Sequence, residues 1–307
     1  MEQTNRSLVG KSWVGLFTLA FFAVGGLLIA QAVGWLIAQG FGINLANTSL
    51  QLLIQEPGNQ TALLLMQLAY SGILFVAAPW AFYKMAEPTG LRIDKEGGEH
   101  TLPILLVLAA AVVCVYLPTS GFLVELSSNI TFPEGLKEIE RWMQEQEQSL
   151  QRMSNYLTSF DGIPSLLLGL LVIAVIPAVG EELLFRGLIQ RYFQNISGNP
   201  HLAIIATGFL FSAFHLQFYG LIPRWVLGIM FGYLYHWSGK LSTAMIAHFV
   251  NNGVTLVALY LFSQSESEVN LENVGEKISL IHVAVSAVLT TVFIVLFKQK
   301  ATYQSVN

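Results

Sequence analysis

The chain has 307 residues, of which 54% are hydrophobic and only 11% charged, and its mean hydropathy is +0.58. An ordinary soluble domain is about 25% charged, so this chain lacks the polar surface to face water all round. Its net charge of −4 comes without a basic patch interleaved with aromatics, which excludes nucleic acid as a partner. A single cysteine, Cys114, excludes an internal disulfide and a thiolate metal site; lying in an apolar run, it is expected as a small buried hydrophobe. The composition predicts an all-α, polytopic membrane protein, with residues 1–307 forming one membrane domain.

Taken in chain order, Arg6 and Lys11 precede an apolar run from about Val14 to Ile37. That run is long enough to cross a bilayer, and a signal peptide would have a shorter apolar core and a small-residue cleavage site. It reads as an uncleaved first span. Further apolar runs fall at roughly 62–83, 102–124, 165–190, 201–218, 221–237, 241–262 and 279–297, giving about eight transmembrane helices. The fifth and sixth are short and joined by a tight turn at Phe218-Tyr219-Gly220.

The connections alternate in charge. The segment Gln39–Thr61 has no Lys or Arg, whereas the next connection holds Lys84, Arg92 and Lys95. Seven acids (Glu125, Glu134, Glu138, Glu140, Glu145, Glu147 and Asp161) outweigh Lys137, Arg141 and Arg152 after the third span. Arg186 and Arg191 follow near the end of the fourth, Lys240 separates the sixth and seventh, the Ser263–Lys277 loop is acidic, and Lys298 and Lys300 follow the last. The positive-inside rule then places both termini in the cytoplasm of a cell whose plasma (inner) membrane holds the chain.

Residues 125–163 read as an extracytoplasmic segment. Within it Leu136, Ile139, Met143, Leu150, Met153 and Leu157 recur at helical spacing opposite a Glu/Gln-rich face. An acidic polar face argues for packing on the protein's own outer side rather than on anionic lipid. No internal repeat of the transporter kind is present.

Ionisable residues inside spans are functional candidates by default. Glu182 and Arg186 are four apart and share a helix face, so they can pair. Glu181 points about 100° away and does not share that face, which suits a general base in a low-dielectric site. His215 stands in the fifth span, four residues after Phe211; His248 stands in the seventh, with Asn252 one turn on. Glu, two His and Asn supply a base, imidazole donors or ligands, and an amide for an oxyanion, a set that fits attack of water on a carbonyl with or without a metal. Neither His-Glu-x-x-His nor Gly-x-Ser-x-Gly occurs. His236 reads as interfacial, Arg224 as snorkelling with a substrate contact conceivable, and Gly228 with Gly232 as a small-residue face for close helix packing.

At these residues the chain resembles the CPBP family of intramembrane proteases, which includes CAAX prenyl proteases and bacteriocin-processing (Abi) members. The family pattern stands here as Glu181-Glu182-x-x-x-Arg186, Phe211-x-x-x-His215 and His248-x-x-x-Asn252, in order, within a core of about 165–260. The resemblance implies that Glu181 activates the hydrolytic water with help from His215. It also implies that His248 and Asn252 bind the polarised carbonyl or a metal, and that Glu182 and Arg186 are support. Zn2+ on Glu181, His215 and His248 would leave one open position, and metal-free activation is chemically adequate. The implied activity is endopeptidase cleavage near the cytoplasmic side of the membrane. Its substrate would be a peptide or protein, lipid-modified or not, with membrane lipids as further partners. A proton-coupled transporter with a Glu181–His215–His248 relay, or a non-catalytic scaffold of the family, are the alternatives.

Overall fold

The computed structural model describes residues 2–46, 50–96, 100–264 and 279–302. Most of the acidic Ser263–Lys277 loop lies outside them. Among the described residues the regular structure is helical, with no strand. The main helices are α1 (Glu2–Gly40), α2 (Gln60–Met85), α3 (Leu102–Ser128), α4 (Lys137–Leu157), α5 (Ile163–Ser197), α6 (Pro200–Ala213), α7 (Leu221–Ser238), α8 (Leu241–Gln264) and α9 (Leu280–Thr302).

Six of these, α1, α2, α3, α5, α8 and α9, are long and apolar enough to cross a membrane. The expected eight are reached only by adding α6 and α7. At a rise of about 1.5 Å per residue, the 14 residues of α6 fall well short of a hydrocarbon core of ~30 Å. Helix α7 has 18 residues but carries Arg224 and His236, and is not among the six. Conversely, the 35 residues of α5 are more than a bilayer needs, and its last two turns hold Gln190, Arg191 and Asn195.

The helices fall into two compact units, residues 1–95 with 156–207, and residues 96–155 with 208–307. In the first, α1, α2 and α5 approach closely at glycines. A Cβ on Gly26 would come within 2.8 Å of the Ala78 Cβ, and one on Gly180 within 2.7 Å of the Phe75 Cβ. Small residues let helix backbones meet where apolar burial alone does not drive association.

Two of the three π-helical turns described in this unit, Gly72–Ala77 in α2 and Leu170–Val175 in α5, lie just before prolines. Each precedes a proline by two residues, Pro79 and Pro177. A helical proline donates no N–H and its ring crowds the carbonyl four residues back. Here those carbonyls belong to Phe75 and Ile173, inside the widened turns, which relieves the clash without ending the helix.

Past α2, Glu87 gathers the loop. Its carboxylate accepts the amides of Thr89 (2.9 Å) and Leu91 (2.8 Å), the Thr89 hydroxyl, and the phenol of the wholly buried Tyr192 on α5 (3.0 Å).

In the second unit α3 packs against α8 and α9. Pro118 interrupts the α3 ladder, and Ser286 of α9 repairs it: its hydroxyl donates to Val115 O and accepts the Thr119 amide at 3.3 Å. Cys114, expected to be buried, is exposed on α3. A helix that spans a membrane keeps an outward face toward hydrocarbon, and an apolar run does not say which residues lie there. Helices α6 and α7 form a hairpin in which Gly208 and Gly228 meet; a Cβ on Gly228 would lie 3.0 Å from the Gly208 Cα. Gly228 thus has the packing role expected of it. The amphipathic helix forms as α4, with Ile139, Trp142 and Leu150 exposed.

Gly228→Ala is expected to force the hairpin apart and lower stability by about 1–3 kcal/mol, read as a fall in Tm of detergent-solubilised protein. A Cβ on Gly25 would meet nothing within 4 Å, so Gly25→Ala is expected to leave Tm unchanged or raised; equal losses in both would refute the close contact. Burial pushes the Glu87 carboxyl up, but the hydrogen bonds from Thr89, Leu91 and Tyr192 outweigh it and hold Glu87 below its ordinary value of 4.5. Its stabilisation is then complete above about pH 4.5 and lost as pH falls through the lowered value. The Tm gap between wild type and Glu87→Gln should be widest at neutral pH and close on acidification.

Candidate active site

The first unit carries the acidic residues. Glu181 and Glu182 end an α-helical stretch of α5, and the π-helical stretch Leu183–Ile189 begins immediately after. Arg186 Nη1 donates to Glu182 Oε1 at 2.8 Å, and neither side chain has any exposed surface. The pair expected from sequence spacing therefore forms, inside a widened turn. Burying either charge alone would cost several kcal/mol; a hydrogen-bonded pair at this separation offsets much of that cost.

Glu181 is half-buried. It is not electrostatically separate from Arg186 as the 100° offset suggests, because the guanidinium interacts with Glu182 first and with Glu181 as well. Coulombic coupling in a low-dielectric interior reaches beyond hydrogen-bond range, so a different helix face does not isolate Glu181.

The second unit carries the histidines. His215 lies in the turn that directly follows α6, since the helix ends at Ala213 rather than continuing to about 218. The helix end is tightened by His215 N–H to Ser212 O (3.2 Å) and Leu216 N–H to Ala213 O (3.1 Å). His215 Nδ1 lies 2.8 Å from Phe211 O, one of the carbonyls that a helix C-terminus leaves unmatched. Only a protonated Nδ1 can donate there; in the neutral imidazole Nε2 is then the acceptor nitrogen. Leu216 follows with φ of +53°, left-handed backbone that costs a non-glycine residue about 1–3 kcal/mol.

His248 is buried in α8 and stacks on Phe231 of α7, with centroids 5.3 Å apart and an interplanar angle of 20°. Phe211 links the two imidazoles: it stands edge-on to His215 at 5.2 Å and to His248 at 5.7 Å. It also meets Phe231 at 6.3 Å. The structure therefore brings His215 and His248 onto one aromatic ring, and the motif Phe is the wall that orients both. Phe231 does not stand out in the sequence. Its only sequence signal is its place between Gly228 and Gly232, on a helix whose small residues bring it close to α6.

Asn251 Nδ2 donates to Asn252 Oδ1 at 3.0 Å, and both residues are half-buried. Arg224, expected to snorkel, instead folds over Gly220 and donates to Gln217 Oε1 in the α6–α7 turn. A helix start so close to a polar turn offers the guanidinium a nearer acceptor than the membrane surface. Among the described residues no three His, Cys, Asp or Glu side chains are gathered as ligands for a metal ion.

Comparison with known proteins finds similarity over the same stretch. Residues 163–254 match the family model for Rce1-like proteins, described as type II CAAX prenyl endopeptidase Rce1-like. The chain is also 28% identical over 92 residues to the uncharacterized protein YpbD of Bacillus subtilis (strain 168), which covers 28% of this chain and 42% of that protein. The chain thus spans less than half the length of this curated relative. No solved structure matches.

The buried pair gives a stability test. Arg186→Met leaves Glu182 without its hydrogen-bonded counter-charge, and an expected loss of about 3–5 kcal/mol should appear in Tm. Glu182→Leu combined with Arg186→Met should lose less than Arg186→Met alone; a larger loss in the double variant would contradict the pairing.

Proposed function

We propose, starting from the match of residues 163–254 to the Rce1-like family model, that this integral membrane protein is an intramembrane endopeptidase of the CPBP/CAAX type. The observation that carries the reading is that the matched segment contains Glu181, Glu182, Arg186, His215, His248 and Asn252 together. All six chemistry-bearing residues thus fall inside 92 residues of the chain, while the first three spans and the last lie outside.

In this reading Glu181 takes a proton from the attacking water. His215 assists through Nε2, the nitrogen left as acceptor by the Nδ1 contact with Phe211 O. Water adds to the peptide carbonyl, and His248 and Asn252 donate to the oxygen that gains negative charge. Collapse of the tetrahedral species breaks the C–N bond, and the proton held by Glu181 passes to the leaving amine. The buried Glu182–Arg186 pair supports this by keeping the Glu181 turn in place. Burial of His248 between Phe211 and Phe231 supports a donor role, since a desolvated donor acts more strongly on a developing charge than one in water.

No step in this scheme runs through a metal. Zinc held by Glu181, His215 and His248 would instead supply a Lewis acid. The substrate is a peptide or protein presented within the membrane, with both termini of the chain cytoplasmic. The family description points to a prenyl chain as the substrate's lipid.

Purified protein in lipid nanodiscs is tested on fluorogenic, membrane-anchored peptides with and without a prenyl group. Glu181→Gln and His248→Ala are each expected to lower kcat by at least about 100-fold. Equal cleavage by wild type and Glu181→Gln would remove the assignment. Cleavage that survives exhaustive chelation supports the metal-free route, and loss restored by zinc supports the other.

A further inference from the structure

The turn that carries His215 is held from outside its own hairpin. Residues 214–220 leave the α6 ladder through a left-handed leucine, Leu216, which is 69% exposed. Exposure on this scale means that no packing of Leu216 itself offsets its backbone strain. The anchors lie elsewhere. Arg224 of α7 donates to Gln217 Oε1, and Ser212 donates to Leu221 O at 2.6 Å. Two further anchors come from α4, some 70 residues earlier in sequence. The Phe218 amide donates to Glu147 at 2.9 Å, and the Phe218 ring meets the Trp142 ring edge-on, with centroids 5.3 Å apart.

We propose that Glu147 and Trp142 of α4 are positioning residues, clamping Phe218 so that the strained turn holds the His215 ring in its reactive placement. The inference rests on His215 acting on the hydrolytic water, as proposed above. Nothing in the matched family segment covers it, because that segment begins at residue 163 and α4 lies before it.

The chemistry is specific. A carboxylate accepting a backbone N–H makes a charge-assisted bond, stronger than a neutral one. His215 is three residues from Phe218, so a slack turn moves the ring directly. Misplacing a reacting group by about 1 Å can cost on the order of 100-fold in rate. The acidic face of α4 thereby has one member with a defined task, while Glu138 and Arg141 pair loosely with each other on its exposed side.

Two measurements on the full chain in nanodiscs test this. The first is amide hydrogen exchange over residues 214–218. Glu147→Ala should speed it about tenfold or more, whereas Glu147→Gln, whose amide oxygen still accepts the Phe218 N–H, should stay close to wild type. The second is cleavage kinetics. Glu147→Ala and Trp142→Ala should lower kcat about tenfold or more with KM within about twofold. Glu147→Gln and Trp142→Phe should restore most of kcat, a rescue that general destabilisation would not produce.

Unchanged exchange in Glu147→Ala overturns the clamp, whatever the activity. Faster exchange with unchanged kcat overturns its positioning of His215. If wild type shows no Glu181-dependent cleavage, the protease reading fails separately, and exchange alone then decides whether α4 clamps the turn.

Discussion

The Arg186 guanidinium and the Glu182 carboxylate meet at 2.8 Å with no solvent on either, in a chain that is only 11% charged. A membrane interior offers no water to satisfy a polar group, so each one must find its partner within the protein. The same constraint explains other details. Ser286 inserts its hydroxyl where Pro118 breaks the α3 ladder, and His215 turns its Nδ1 onto a carbonyl left over at the end of α6. In each case a side chain is committed to the backbone or to a neighbouring charge. The pairing also sets chemical roles: with the neutral His215 ring donating from Nδ1, Nε2 is its acceptor nitrogen.

Irregular helical turns concentrate in α2 and α5. Two are answers to proline, with the carbonyls of Phe75 and Ile173 lying inside widened turns. The third, Leu183–Ile189, holds no proline and begins directly after Glu182. Widened turns shift the phase of everything that follows, so the face on which Arg186 and later residues lie differs from that of a regular α-helix. Such turns are frequent at functional sites, and this one sits on the ion pair itself.

Aromatic packing organises the histidines. Phe211 touches His215 and His248 edge-on, and Phe231 stacks on His248. Flat walls on a buried imidazole limit its rotation and remove water from it, which makes its remaining hydrogen-bonding capacity directional. The glycine contact between α6 and α7 brings these walls together, since Gly208 and Gly228 allow a backbone separation that larger residues would prevent.

Much of this was legible in the residues alone. Apolar runs located the main helices other than α4, because a bilayer demands long stretches whose backbone bonds are satisfied internally. Four-residue spacing announced the Glu182–Arg186 pair, and the helical spacing of apolar residues opposite a Glu/Gln face announced α4. Tertiary structure decided the rest. It ended α6 at Ala213 and put His215 in a strained turn, because cap geometry depends on neighbours that sequence spacing does not reveal. It turned Cys114 outward, since composition is uniform around a lipid-facing helix. It folded Arg224 onto Gln217 and made Phe211 and Phe231 the walls of the histidine pair, because contacts between helices far apart in sequence are set by where their small residues let them touch.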